Sequence, residues 1–420
     1  MTTSPPLAAS PITSPHLATP RSATPRSATP FVVDSIVIGA GPAGLATAHE
    51  LMRVGQRVLV LERGTGVGMS WRTHRPGLRL HTVRRLSSLP GMIIPRRLGR
   101  YVTSADLVHY LEHYVVASKI DVRFGVAVSR VRRVRSGLVD AGRVDAFGRT
   151  PSWRIDTTDG ATYTATTVVM ATGYNQHPYI PRLPGLAEYQ PPHLHVAEYR
   201  GGDQFAGLDV LVVGAGNAAA EAATELVASG ARRVRMAVRT TPHIVRRRVG
   251  GVSMQSVAIA MSHVPLRFAD RLASVLARLT VPDLSTHGLA RPRADLYTRV
   301  QRDDSVPVHD TGIVALLQSG AVTPVAAVTG FEPGAVQLAD GSVVSPEVVL
   351  FASGYRRGLD ALLNGLDLLD HIGNPRARSG TEAAPGFYFV GFTVSATGAL
   401  REIARDARRV AQHARRRVRL

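Results

Sequence analysis

The chain has 420 residues, 45% of them hydrophobic, which is enough for two or three domains with cores of their own. Its formal net charge is +19, but the basic residues are spread along the chain and only 5% of residues are aromatic, so we expect no nucleic-acid partner. The chain contains no cysteine, which excludes disulfides, thiolate metal sites and dithiol redox centres, and we assign no metal ligands.

Residues 1–30 are rich in Pro, Ser, Thr and Ala and are predicted to form a disordered tail. No apolar run reaches the length of a transmembrane helix, and the N-terminus lacks the apolar core of a secretory leader. We therefore expect a cytoplasmic protein without an integral membrane segment.

A strand, a glycine turn, a helix and a second strand are predicted between residues 31 and 63. The turn has the pattern G-x-G-x-x-G, in which Gly39 permits the tight turn, Gly41 lets the backbone approach a pyrophosphate, and Gly44 lets the helix pack on the strand. The helix would direct its free N–H groups at that phosphate. The pattern therefore predicts a dinucleotide site rather than a merely structural turn.

Residues on either side of this turn complete the predicted site. Pro42 and Ala43 open the helix, where the missing N–H of proline costs little. Glu62 ends the second strand, at the spacing that lets a carboxylate accept a hydrogen bond from a ribose hydroxyl, and Arg63 follows it. We assign these four residues to the same cofactor site.

Residues 64–100 are dense in Gly and Pro and are predicted to form loops around a ligand. Trp71, Arg79 and His81 either line a flavin or nicotinamide pocket or are ordinary packing and surface residues. A helix is predicted to follow, with Ser104 as its N-cap.

Two later strands end in similar sequences. Residues 122–167 alternate as antiparallel strands do, and the strand that follows ends in Ala171-Thr172-Gly173-Tyr174. A strand predicted over Val343–Phe351 is followed by Ala352-Ser353-Gly354-Tyr355. Gly173 and Gly354 would let the backbone lie against a ligand.

The segment from residue 210 to 239 repeats the opening pattern as G-x-G-x-x-A, an accepted form of the dinucleotide motif. Its positions are Gly214, Gly216, Asn217 and Ala219. The second strand of this unit, Val234–Val238, ends in Arg239 instead of an acid. An arginine can bind a 2′-phosphate bidentately whereas a carboxylate would repel it, so we expect NADPH rather than NADH. The alternative is a surface arginine in an arginine-rich chain.

Two helical segments complete the chain. Residues 254–279 are apolar with helical spacing and would wall a substrate channel, touch a membrane or pack in the core. The last helix begins near Gly398, and its N-terminus could point at a flavin.

Together these elements predict an α/β protein with two Rossmann-like dinucleotide-binding domains. We place a first FAD-binding part at 31–205, an inserted NADPH-binding domain at 206–325, and the second FAD-binding part at 326–420.

With both glycine motifs, both Ala-(Thr/Ser)-Gly-Tyr strand ends and the closing segment GALREIARDARRVA in place, the chain resembles the class B flavin-dependent monooxygenases. It resembles most the bacterial relatives of the indole-3-pyruvate monooxygenases. The resemblance implies FAD at the first motif and NADPH at the second. It also implies that one oxygen atom of O₂ is inserted into a small organic substrate through a C4a-hydroperoxide of the flavin. The substrate would be an amine, a sulfide or a 2-oxo acid such as indole-3-pyruvate.

The family fingerprint F-x-G-x-x-x-H-x-x-x-(Y/F) is matched incompletely. Tyr189 and Pro191 replace its Phe and Gly, whereas His195 and Tyr199 fit. On this resemblance we treat His195, Tyr199, Arg79 and His81 as catalytic candidates.

Three other functions are weighed against monooxygenation. The disulfide reductases of the same architecture need a dithiol, which the chain lacks. An FAD-dependent NADPH dehydrogenase or oxidase without oxygen insertion stays open, because the fingerprint is incomplete. A regulator without turnover would need a blocked nicotinamide site, and both motifs are intact.

Overall fold

The structure is a computed structural model that describes residues 31–75, 77–134, 150 and 152–418. The tail predicted to be disordered, residues 1–30, lies outside the described residues. The described helices are α1 (Pro42–Arg53), α2 (Met69–Arg72), α3 (Ser104–Ser118), α4 (Asn217–Ala228), α5 (Met254–Met261), α6 (Leu266–Thr280), α7 (Leu296–Asp303), α8 (Ile313–Gln318) and α9 (Ala399–Val418).

The described strands, numbered in chain order, are β1 (Phe31–Ile38), β2 (Val58–Leu61), β3 (Asp121–Arg123), β4 (Val128–Arg133), β5 (Trp153–Thr157), β6 (Thr162–Met170), β7 (His177–Pro178), β8 (His193–His195), β9 (Asp209–Val213), β10 (Arg233–Ala237), β11 (Ile244–Arg246), β12 (Arg248–Val249), β13 (Val252–Ser253), β14 (Val308–Asp310), β15 (Val322–Val325), β16 (Val328–Glu332), β17 (Ala335–Leu338), β18 (Val343–Val344), β19 (Val348–Phe351), β20 (Tyr355–Arg356), β21 (Glu382–Ala384) and β22 (Phe387–Phe389).

The first sheet has the order β21-β22-β6-β1-β2-β3, with β4 and β5 joined antiparallel to β6. Its central strands run parallel, as their continuous apolar sequences predict. The antiparallel prediction for residues 122–167 is confirmed for β4, β5 and β6. It is wrong for β3, which extends the parallel sheet beside β2. One face of this sheet is covered by α1, α3 and α9, so the first and the last described helices share one core.

The second sheet is parallel throughout and has the order β15-β10-β9-β19-β8, with α4 and α8 packed in its core. Two of its strands, β8 and β19, come from outside residues 206–325. The strands of the second sheet thus extend in sequence from His193 to Phe351, beyond the predicted limits of the inserted domain. The domain boundaries stay a proposal.

The strand predicted over Val343–Phe351 is wrong as a single element. Pro346 lies between β18, which pairs with β17, and β19, which joins the second sheet. Proline has no backbone N–H to donate to a ladder, so a strand is readily interrupted there.

The apolar segment 254–279 forms two helices rather than one. α5 begins at the N-cap Ser253, whose hydroxyl accepts from Ser256 N at 3.2 Å, and α6 begins after Pro265. The residue before a proline is disfavoured in helical conformation, so the helix is interrupted here. Among the described helices, none combines the length and apolar composition that crossing a bilayer requires.

Candidate active site

The first glycine turn is a close-packed backbone crossing with one open side. Gly39 has φ +108°, and a Cβ there would lie 2.6 Å from the carbonyl oxygen of Ala171. A Cβ on Gly44 would lie 1.8 Å from the oxygen of Gly39. At Gly41, no heavy atom of the described residues lies within 4 Å of the Cβ position. The turn therefore needs two glycines for its own packing, and the third leaves space beside the helix end.

The N-terminus of α1 has the features of an anion-binding site. Gly41 is its N-cap and makes no side-chain cap bond, and Pro42 opens the helix. Ala43 is buried, and its Cβ would lie 2.8 Å from a Cβ added at Gly391. Uncapped N–H groups and the positive end of the helix dipole favour a phosphate at this position. The open space and the free donors fit the pyrophosphate of FAD.

The buried carboxylate of Glu62 lies at the end of β2, beside this turn. It accepts hydrogen bonds from Ala40 N and Gly64 N, each at 2.7 Å. The neighbouring Arg63 is exposed and donates to Gln176 Oε1 at 2.9 Å. Gln176 in turn lies beside Gly173, which has φ +81°. The first turn, the acid and the end of β6 thus lie together.

The second glycine turn has the same geometry. Gly214 has φ +133°, and its Cβ would lie 2.5 Å from the oxygen of Ala352, while no described heavy atom lies within 4 Å of the Gly216 position. Gly216 caps α4 with φ −86° and ψ −174°, against −81° and −178° at Gly41. Ala219 is fully buried behind the turn. This turn therefore fits a second pyrophosphate, and its assignment to NADPH stays a prediction.

Of two further residues assigned to the second site, one has a hydrogen-bonded side chain and the other is exposed. Asn217 donates to Pro307 O at 3.0 Å and accepts from His309 N at 2.9 Å, so its amide fastens α4 to β14. Arg239 is exposed and follows the end of β10 by two residues. Its side chain is therefore accessible to a ligand at the edge of the second sheet.

His195 is fully buried and fastens β8 to the end of β19. Ala197 N donates to its Nδ1 at 3.1 Å, so the proton is on Nε2, which donates to Gly354 O at 3.0 Å. Burial lowers the pKa of His195 and keeps the ring neutral. Because both ring nitrogens are engaged by backbone, His195 holds the Gly354 turn in place.

Tyr199 is also buried, stacked on Phe205 with ring centroids 5.7 Å apart. Its hydroxyl finds no hydrogen-bond partner among the described residues, and burial raises its pKa. This phenol therefore stays protonated and supports the core of the second sheet.

His81 lies in a polar cluster between the two sheets. Its Nδ1 accepts from Arg247 Nη2 at 3.2 Å, so Nε2 carries the proton and lies 3.1 Å from Glu221 Oε1 on α4. Arg75 contacts Glu221 at 3.0 Å and Glu225 at 2.8 Å. Ion pairs and hydrogen bonds thus connect the loop that contains Arg75 and His81 to α4, the helix that follows the second glycine turn.

Two half-buried groups at this cluster have shifted pKa values. His309 stacks on His81 with ring centroids 5.1 Å apart, and burial lowers its pKa to about 3. Glu221 has a pKa below its ordinary value, despite burial, because His81 and Arg75 stabilise its charge. The neutral imidazole of His309 therefore lies in the same cluster as the ionised pair of Glu221 and Arg75.

The other two loop candidates lie apart from this cluster. Arg79 is exposed and donates to Tyr101 O at 3.1 Å. Trp71 is half-buried on α2, where it packs against the first core and lies near His74. Their assignment to catalysis and to cofactor binding, respectively, stays a prediction.

Gly398 lies at the junction of three segments. It precedes α9, has φ +103°, and a Cβ there would lie 2.5 Å from Gln255 Nε2 and 2.7 Å from Thr82. Gln255 donates to Thr397 O at 2.8 Å and accepts from Val83 N at 2.9 Å. This amide joins α5 to both parts of the first unit.

A narrow, largely apolar cavity of about 40 Å³ lies next to this junction, between α5, α6 and α7. Its lining includes Met254, Val257, Leu276, Tyr297 and His309. It has room for little more than a water or two. A substrate there would require these helices to move apart.

The sequence prediction missed five of the residues that join the two units: Arg75, Gln255, Glu221, Glu225 and His309. Their partners are far away in the chain, and no local pattern marks them. The only available signal was a carboxylate on the helix that follows the second glycine motif, as Glu221 is.

The chain matches the family described as "Pyridine nucleotide-disulphide oxidoreductase" over residues 36–255. It is 31% identical over 375 residues to the indole-3-pyruvate monooxygenase YUCCA1 of Oryza sativa subsp. japonica, covering 86% of this chain and 87% of that protein. It is 32% identical over 368 residues to the probable indole-3-pyruvate monooxygenase YUCCA9 of Arabidopsis thaliana, covering 85% of this chain and 84% of the relative.

A flavin-containing monooxygenase from Stenotrophomonas maltophilia has the same fold, with a TM-score of 0.67 at 23% identity, covering 91% of this chain and 98% of that chain. The two glycine turns provide places for FAD and NADPH, and the absence of cysteine excludes a dithiol mechanism. The chain therefore belongs to the family of FAD- and NADPH-dependent flavin monooxygenases that includes the YUCCA proteins, and it is an oxygen-inserting enzyme of that family.

Proposed function

We propose that the substrate of this monooxygenase is a small aromatic 2-oxo acid of the indole-3-pyruvate type. The relatives quoted above are named for that substrate. In the reaction, the 2-oxo acid takes up one atom of O₂ and loses its carboxyl group as carbon dioxide. The other oxygen atom leaves as water, with NADPH as the reductant.

The observation that carries this proposal is the position of Arg247. Its guanidinium lies 5.2 Å from the centroid of the Tyr101 ring and donates to His81, between the two units. Its Nε is buried and finds no hydrogen-bond partner among the described residues. A half-buried guanidinium whose Nε–H is unused fits a carboxylate, which an amine or a sulfide substrate lacks.

The protein groups have separate roles in this proposal. The N-termini of α1 and α4, at Gly41 and Gly216, hold the two pyrophosphates. Arg239 binds the 2′-phosphate of NADPH, and His195 keeps the Gly354 turn in position. When bound, FAD supplies the redox and oxygen chemistry, and the protein positions the substrate and excludes water. We place the enzyme in the cytoplasm, where NADPH is regenerated.

The test is product formation from indole-3-pyruvate, phenylpyruvate, a tertiary amine and an alkyl sulfide, each followed with NADPH consumption. We expect the 2-oxo acids to yield the shortened acid with NADPH use coupled to product. Arg247→Gln should raise KM for the 2-oxo acid by about tenfold or more, as loss of one charged hydrogen bond implies. Arg248→Gln, at the exposed neighbouring residue, is the matched control. Coupled turnover of the amine or sulfide, with no effect of Arg247→Gln on any KM, would overturn the substrate assignment.

A further inference from the structure

Helix α6 presents an apolar stripe to solvent. Phe268, Leu272, Val275 and Leu279 follow one another at spacings of four, three and four residues, which places them on one side of a helix. Their exposed fractions are 60%, 43%, 51% and 78%. A surface helix ordinarily buries such a stripe against its own protein, so the exposure of this one is not explained by the fold.

The opposite side of α6 is the side that holds it in the protein. Ala269 and Asp270 are buried there. The Asp270 carboxylate accepts from Tyr297 N at 2.7 Å and from Thr298 Oγ1 at 2.6 Å, at the start of α7. These contacts fix the side of α6 that faces the protein. The apolar stripe must therefore face outward.

Positive charge accompanies the stripe. Arg267, Arg271 and Arg278 are exposed and lie on one flank of it, since they precede Phe268, Leu272 and Leu279 by one residue each. The only acid of α6 is Asp270, which is turned inward. Val264, two residues before the helix, and Leu266, its first residue, are each 37% exposed as well.

We propose that α6 is a docking surface for an anionic lipid bilayer, lying in the plane of the headgroups. Apolar side chains on one side and arginines beside them are the features of a helix that lies at the interface without crossing it. The arginine stems can reach the phosphates while the stripe enters the acyl boundary. The net charge of +19 adds a long-range attraction to the same surface.

A second copy of this chain fits the stripe less well. Two copies joined stripe to stripe in antiparallel orientation would bring their arginine rows side by side. The exposed faces of α6 offer no acid to neutralise that charge. An anionic bilayer supplies both the apolar layer and the opposite charge.

The proposal is tested by sedimenting the FAD-loaded full chain with vesicles of phosphatidylcholine, alone or mixed with phosphatidylglycerol. We expect binding to the mixed vesicles and at least about tenfold weaker binding to the neutral ones. The double variant Phe268→Ser/Leu279→Ser should weaken binding by about tenfold or more, because both side chains would have entered the acyl boundary. Arg271→Gln/Arg278→Gln should weaken binding to the anionic vesicles alone.

Two matched control variants distinguish binding through this surface from nonspecific hydrophobic or electrostatic binding to vesicles. Val343→Ser/Ile372→Ser removes two apolar side chains that are 56% and 69% exposed elsewhere, and Arg415→Gln/Arg416→Gln removes two exposed charges near the end of α9. Both should bind vesicles as the unchanged chain does. The proposal is overturned if the chain does not sediment with anionic vesicles, or if the stripe variant binds as well as the controls. It is also overturned if light scattering shows a dimer that the stripe variant converts to a monomer.

Discussion

The imidazole Nε2 of His81 lies 3.1 Å from the carboxylate of Glu221, although the two residues belong to different nucleotide-binding units. His81 comes from the loop after the first glycine motif, and Glu221 lies on the helix of the second. Arg75 adds a second contact to the same carboxylate. The relative position of the two cofactor sites is therefore held by charged groups at this junction.

Glu221→Gln should lower the melting temperature at neutral pH, because it removes the charge that His81 and Arg75 stabilise. A loss of about 1–3 kcal/mol corresponds to roughly 2–4 °C for each kcal/mol. The pKa of Glu221 is held below its ordinary value of 4.5, so its contribution is present above that pH and is lost as the pH falls further. The melting temperatures of the two proteins, measured from pH 3 to 8, should therefore differ most above pH 4.5 and approach each other below it. Equal differences at every pH would contradict the charge-based role.

His309→Gln should make the protein less sensitive to acid. The folded-state pKa of His309 is lowered to about 3, so below its ordinary value of 6.5 the unfolded chain takes up a proton that the native chain does not. Stability is therefore lost progressively as the pH falls from 6.5 toward 3. Unfolding in denaturant at pH 7.5 and 5 should show a smaller decrease for the variant than for the unchanged protein. His371→Gln, at an exposed position, provides the control.

Gly41→Trp should abolish most FAD binding, because the side chain would occupy the open space beside the N-terminus of α1. The measurement is the ratio of flavin to protein absorbance after purification. Gly334→Trp is the matched control, since Gly334 is exposed and also has no described heavy atom within 4 Å of its Cβ position. A Gly41→Trp protein with full flavin content would refute the assignment of the first turn to FAD.

Arg239→Ala should raise KM for NADPH by about tenfold while leaving KM for NADH nearly unchanged, as loss of a phosphate-binding arginine implies. NADH is the internal control, because it lacks the 2′-phosphate. Steady-state flavin reduction with each nucleotide provides both constants. Similar changes for the two nucleotides would show that Arg239 does not recognise the phosphate.

His195→Ala should increase the peroxide released per NADPH consumed, because the Gly354 carbonyl and the Ala197 N–H lose the ring that holds them. His193→Ala, at the exposed first residue of the same strand, should leave the ratio unchanged. Peroxide and NADPH are measured together during turnover. If the two variants are equally coupled, His195 has no part in protecting the reaction.

The sequence predicted best those features that depend on backbone geometry. Gly39 and Gly214 occupy positive φ against the carbonyls of Ala171 and Ala352, and only glycine fits there without strain. The spacing of the glycines therefore predicts both turns from the sequence alone. The start of α3 was predicted less well. Thr103, rather than Ser104, is the N-cap, and its hydroxyl accepts from Asp106 N at 3.0 Å.

Contacts between distant segments could not be predicted. Arg75 and Glu221 are separated by 146 positions, and neither stands out in a chain with so many arginines. Gln255 occurs in an apolar helical segment, where nothing local indicates that its amide bridges Val83 and Thr397. Such pairs arise from how the two sheets meet, which helical or strand periodicity does not encode.

The near-identity of the two glycine turns limits where cofactor choice can be made. Gly41 and Gly216 have the same backbone conformation, the same open space and the same uncapped helix end, so neither turn can tell one pyrophosphate from another. Discrimination between FAD and NADPH must then act beyond the pyrophosphate, at the adenosine ribose, which carries a 2′-phosphate in NADPH alone, and at the flavin or nicotinamide end. On the assignments proposed above, Glu62 and Arg239 would recognise the ribose, whereas exchange of the two glycine loops would be limited by packing, since Ala219 corresponds to Gly44, where a Cβ would lie 1.8 Å from the oxygen of Gly39.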